Sequence, residues 1–223
     1  MNTFITLLKR EFWEHKGGML WAPVVVGGLM LAAAAASAVI GILASEGDVR
    51  IHGKQIIIDG TLIAEQTQGE IAQAIAWAIV PSIAPLAAVL ALVLLFYALG
   101  SLYDERRDRS VLFWKSMPVS DTATVLSKLA SMVLLTPLIT ALVGIFVGTV
   151  VALIAAASMS AFGANLLPKL FGTADFYLAP VAVLAVIPVY ALWVLPSIAW
   201  CMAVSAWAKR APFLWAVVTP VLA

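Results

Sequence analysis

Only 11% of the 223 residues carry charge, one residue is a cysteine, and two are histidines. A soluble domain carries charge on about a quarter of its residues, so the shortage excludes that class. The lone Cys201 lies inside an apolar run, which leaves neither a disulfide framework nor a cysteine metal site. His15 and His52 fall on opposite sides of the first apolar run, so no histidine cluster exists for metal binding or hydrolysis. A formal net charge of +1 offers no electrostatic footprint for nucleic acid. No Walker A loop is present, so the chain has no ATP site of that kind. The expectation is a chain with no catalytic residues, no metal and no cofactor of its own.

The few charges are bunched. Asp, Glu, Lys and Arg are missing from residues 17–45, 71–103, 129–168, 176–208 and 211–223, together two-thirds of the chain. A helix needs about 20 apolar residues to cross a bilayer, and the first four runs are long enough. The first run follows 16 polar-rich residues and is about twice a signal h-region in length, so it reads as a retained span. The fifth run ends at Ala223, and 13 residues make only about 20 Å of helix. A half-span would leave helix-end carbonyls in lipid, so the expectation is a chain that continues through this span. The fold class is therefore an all-α polytopic integral membrane protein. It has an N-terminal interfacial helix, four complete transmembrane helices and the start of a fifth.

Orientation follows from the basic residues. Segments 1–16, 104–128 and 209–210 hold ten Lys and Arg, against three in 46–70 and 169–175. The positive-inside rule then places the N-terminus in the cytoplasm of a multi-pass cell (inner) membrane protein. Loops 46–70 and 169–175 face outward, and residues 17–223 form one transmembrane domain. Trp21, Tyr103, Trp114, Tyr177 and Trp207 sit near the span ends, where amphipathic rings are favoured.

Residues 3–16 read as an amphipathic helix on the inner membrane surface. Phe4, Leu8 and Phe12 recur every four residues, with Lys9, Arg10, Glu14 and Lys16 on the other side. Arg10 and Glu14 can pair, and Gly17-Gly18 supplies a helix stop before the first span. In the outer loop, His52-Gly53 between β-branched residues predicts a short hairpin, while residues 61–70 offer the start of a helix. Prolines 81, 85, 137, 180, 188 and 196 free backbone carbonyls inside the spans and predict kinks, so the fourth run departs from one straight rod. Gly144 and Gly148 form a small-xxx-small pair for close helix packing. No ionisable group lies in the middle of a complete span, which removes the usual basis of a proton relay.

The most informative stretch is 103–121. Six charged residues (Asp104, Glu105, Arg106, Arg107, Asp108 and Arg109) precede Ser110 and the apolar group Val111, Leu112, Phe113, Trp114 and Met117. Pro118 then breaks the helix, and Ser120 or Asp121 can cap the next one, which runs through Lys128 into the third span. Glu105-Arg106, then Ser110-x-Leu112, then Met117-Pro118-Val119-Ser120 resembles the loop after the second span in membrane permeases of the type-2 class of ATP-binding cassette (ABC) exporters. Arg109 stands where many members have glycine. The resemblance implies a coupling helix at 104–117 that docks on a cytoplasmic ABC ATPase subunit, and an elbow helix at 1–16. It also implies six spans, pairing with a second permease copy or a homologous permease in the lipid bilayer, and ATP with Mg held by the ATPase rather than by this chain. The alternative is a non-transporting scaffold or assembly subunit.

Overall fold

The computed structural model describes residues 3–46, 50–51, 54–55, 65–108, 120–161 and 164–222. Four helices are long and apolar enough to cross a membrane: Gly17–Leu43, Thr67–Arg107, Asp121–Ser160 and Ala174–Trp207. The chain is an all-α polytopic membrane protein. Its outward surface is apolar, with Leu29, Phe96, Phe146 and Trp193 all well exposed along the spans. Such a surface is stable only against lipid or another apolar partner.

In chain order, α1 is Thr3–Glu14, and α2 (Ala22–Glu46) follows a π-helical turn at Gly17–Trp21. Strands β1 (Arg50–Ile51) and β2 (Lys54–Gln55) pair antiparallel, Arg50 opposite Gln55 and Ile51 opposite Lys54. Helix α3 (Glu65–Trp77), a 3₁₀ turn (Pro81–Ile83) and α4 (Ala84–Gly100) make the second span, prolonged by α5 (Tyr103–Arg107). The third is α6 (Asp121–Ala130), a π-helical turn (Ser131–Leu135) and α7 (Thr136–Ala161). Short α8 (Leu166–Gly172) precedes α9 (Ala174–Trp207), and α10 (Pro212–Leu222) closes the order.

Proline chemistry explains the breaks in spans two and three. Pro81 and Pro85 bring no N–H to the ladder, and the helix passes from α to 3₁₀ across 81–83. Pro137 lies in the first turn of α7, just past the π-turn, where the Thr136 hydroxyl donates to the Ser131 carbonyl at 2.8 Å. The fourth run differs: α9 stays one 34-residue helix through Pro180, Pro188 and Pro196. Each proline removes one backbone bond there, a loss the helix absorbs without dividing. The Gly17-Gly18 stop also differs. The interruption falls at His15, and the glycines begin the π-turn that leads into α2. Gly18 is used for approach instead, since a Cβ there would meet Val93 Cγ1 at 3.0 Å.

Packing resolves into two compact units, residues 1–23, 87–140 and 186–223 in one, and 24–86 and 141–185 in the other. The second unit holds a core of Ala72, Ala76, Ile79, Ala152, Ala156, Leu166, Leu170 and Ala179. Alanines of α3 and α7 meet in this core, and α8 packs on α3 through the fully buried Leu166 and Leu170. Gly144 and Gly148 lie in this unit against the second-span break. A Cβ on Gly148 would come within 2.5 Å of Ser82 Oγ and 3.2 Å of the Ile79 Cα. The first unit has its own core of Met19, Leu90, Leu94, Tyr97, Met132, Ile198 and Met202. Here α10 doubles back along α9, with Trp207 and Trp215 edge to face at 5.2 Å and Trp200 Nε1 donating to the Ala216 carbonyl.

Candidate functional site: a buried ionic junction

The first unit carries the densest chemistry in the described chain. Helix α1 packs on α6 and turns Leu7 and Glu11, one helical turn apart, into the protein. Phe4, Ile5 and Trp13 remain exposed, and Leu8 and Phe12 are half-buried, Phe12 against the Met19 core. Arg10 and Glu14 pair on the outer side at 2.5 Å.

Glu11 is buried, at 2% exposure, and its two carboxylate oxygens are divided between two spans. Lys128 Nζ, at the foot of the third span, donates to Glu11 Oε1 at 2.8 Å. Tyr97 Oη, from the second, donates to Glu11 Oε2 at 2.5 Å. Lys128 is itself buried and makes a second ion pair to Glu105 Oε1 at 3.0 Å. An unpaired buried charge costs several kcal/mol, so each group is tolerable here only because the others are present. The His15 ring rests on Tyr97 at 4.4 Å and roofs the junction.

Arg106 extends it to the fourth span. Its Nη2 donates to the carbonyls of Ser205 at 2.6 Å and Ala208 at 2.9 Å. The Ser205 hydroxyl in turn accepts from the backbone N–H of Leu102 and Tyr103. A cation at the C-terminal end of a helix satisfies orphan carbonyls and complements the dipole. Ser120 caps α6 from the other side of the loop, accepting from the Ala123 N–H at 3.3 Å.

The charged segment expected at 104–117 therefore divides in two. Asp104, Arg106, Arg107 and Asp108 are all exposed and Glu105 is half-buried, but Glu105 and Arg106 also bond within the chain. Arg109, Ser110, Leu112, Phe113, Met117 and Pro118 lie outside the described residues. Sequence reasoning missed Glu11, Tyr97 and Ser205, and treated Lys128 only as a topogenic charge. One signal was available: Glu11 is four residues after Leu7 and three after Leu8, so it occupies the apolar side of α1.

The arrangement is a network of paired charges and hydrogen bonds. Glu11, Glu14 and His15 bring one potential ligand atom each within 4.8 Å of one another. Both Glu11 oxygens already accept from Lys128 and Tyr97, and Glu14 accepts from Arg10, so the cluster is closed by internal pairing. What the junction does is tie α1 to the second and third spans, with Arg106 carrying the link to the end of the fourth. The class these features define is an all-α multi-pass membrane protein with an ion-paired helix junction. No protein-family model, curated protein or solved structure matches the chain.

Proposed function

We propose that the chain is the membrane (permease) subunit of an ABC exporter of the type-2 class, with its N-terminus in the cytoplasm. It works as a pair of permeases with two cytoplasmic ATPase subunits that bind ATP and Mg. The observation that supports this reading best is the double attachment of the segment after the second span. Glu105 reaches Lys128 and through it Glu11, while Arg106 reaches the end of the fourth span. A force applied by an ATPase to residues 104–117 would thus be felt by α1, α6 and α9 together. That is what a coupling segment requires, and a merely topogenic loop has no need of it. The pattern Glu105-Arg106…Ser110-x-Leu112…Met117-Pro118 supports the same reading.

In this mechanism the exposed charges of Asp104, Arg107 and Asp108 meet the ATPase through wet polar contacts, and Leu112, Phe113 and Met117 fill an apolar groove on it. Burying Leu112 and Phe113 is worth roughly 1.5–3 kcal/mol each. The test is Leu112→Ala with Phe113→Ala in a chain that inserts normally, followed by ATPase co-purification and substrate-stimulated ATPase activity. Docking should weaken by about two orders of magnitude, since ~1.4 kcal/mol is tenfold. Co-purification and activity at the unmutated level would make 104–117 a topogenic loop and leave the scaffold reading standing.

A further inference from the structure

Between the end of α9 and the start of α10 the chain reverses through Lys209, Arg210 and Ala211, the last at φ 48°. Two cavities meet at this turn. One, of about 290 Å³, is lined by Tyr103, Arg106, Arg107, Ala208 and Lys209. The other, of about 500 Å³, is lined by Trp207, Ala208, Lys209, Arg210 and Trp215. Ala208 and Lys209 belong to both, so a basic cavity and an aromatic trough share a wall. The turn joins two apolar helices, which puts it at the level of the lipid headgroups. Trp207 and Trp215, edge to face at 5.2 Å, have the amphipathic character that this level favours.

Among the described residues no carboxylate lines either cavity. Charges around α5 are sorted: Asp104, Glu105 and Asp108 line a separate cavity beside the ionic junction, while Arg106 and Arg107 line this one. Lys209 and Arg210 form no ion pair among the described residues, and the stretch 109–119 contains no Asp or Glu that could supply one. One cation is already positioned. Arg106 donates both N–H groups of Nη2 to the Ser205 and Ala208 carbonyls, which fixes its guanidinium at the cavity wall. The N–H groups on Nε and Nη1 have no partner among the described residues, and such a planar set of donors matches two phosphate oxygens. Setting the topology would need the basic residues, but neither a fixed guanidinium nor the trough beside it. We propose that the paired cavities bind one anionic phospholipid, of the phosphatidylglycerol class. Its phosphate sits on Arg106 with Lys209 and Arg210 around it, and one acyl chain runs past Ala208 against Trp207 and Trp215. Arg107 borders the site but is not needed for it, and the assignment stands whether or not the chain couples to an ATPase.

The experiment uses the full chain, delipidated in mild detergent and offered phosphatidylglycerol and phosphatidylethanolamine of identical acyl chains at equal concentration. Bound lipid is read by native mass spectrometry. Phosphatidylglycerol should be retained about tenfold over phosphatidylethanolamine, because only the anionic lipid gains net attraction from the clustered cations. Lys209→Gln with Arg210→Gln should cut the preference to about threefold or less. Lys9→Gln with Lys16→Gln removes the same charge from exposed positions elsewhere and should leave the preference at about tenfold. Equal retention of the two lipids by the unmutated chain overturns the assignment, with no dependence on how any variant folds. An equal fall in the two double variants overturns it as well, since general surface charge would then account for the preference. Trp207→Ala should lower both lipids at an unchanged ratio, and full retention of both overturns the acyl-chain placement. Inorganic phosphate, compared with chloride at equal ionic strength, should displace neither lipid. Displacement of phosphatidylglycerol by phosphate alone makes this a free-anion site and overturns the lipid assignment.

Discussion

Replacing Lys128 by Met should be the most damaging single substitution in the ionic junction. The side chain is 2% exposed and bridges Glu11, also 2% exposed, to the wetter Glu105. Methionine matches the apolar stem and removes only the charge, so the buried Glu11 carboxylate loses its ammonium partner and keeps Tyr97 and, at 4.0 Å, the edge of His15. Breaking a buried pair from one side costs about 3–5 kcal/mol. Glu105 adds little, because water can still reach it. For a chain of this size 1 kcal/mol moves Tm by roughly 2–4 °C, so the variant should melt at least ~6 °C below the unmutated protein. Adding Glu11→Gln to Lys128→Met removes the stranded charge while keeping an acceptor for Tyr97, and should recover most of the loss. The assay is thermal unfolding of the detergent-purified chain, followed by intrinsic tryptophan fluorescence. A single variant within about 1 °C of the unmutated protein, or a double variant no more stable than the single one, would refute the claim that the two charges depend on each other.

In a Cys201→Ser background, a membrane-impermeant thiol reagent applied from outside should label Lys54→Cys and spare Arg107→Cys. The reverse pattern would invert the topology inferred from the basic bias. Arg106→Met deletes the cap on the last turn of α9, two charge-assisted bonds made by a partly exposed side chain, for a loss of about 1–2 kcal/mol. Hydrogen exchange should quicken at residues 205–208, and unchanged protection there would show that the cap contributes nothing. Gly148→Leu sets a side chain against the Ile79 backbone and should cost about 1–3 kcal/mol, whereas Gly28→Leu, which meets nothing within 4 Å, serves as its control. Equal melting of the two would remove the close-packing role of Gly148.

Spans and site differ in how far a sequence can show them, and the reason is the range of the forces involved. A span is announced locally, because lipid excludes charge from every residue of a 20-residue stretch and the gaps in the charge pattern are the result. Helix ends were less legible: the second span runs on to Arg107 and the third begins at Asp121, since a helix does not stop where the hydrocarbon does. The π-turn before α2 has no such announcement, and Gly17-Gly18 reads equally as a stop or as room for Val93. The junction is legible only in halves. Lys128 is 117 residues from Glu11, and Tyr97 is 86 from it, so no window along the chain holds both partners. What α1 does display is a carboxylate on its apolar side, between Leu7, Leu8 and Phe12. A charge in that position is expensive unless something distant answers it. The physical rule therefore states that Glu11 must have a cationic partner before it can say which one. Among the basic residues at the span ends, the structure selects Lys128, whose long stem lets its ammonium reach both Glu11 and Glu105 from one buried position.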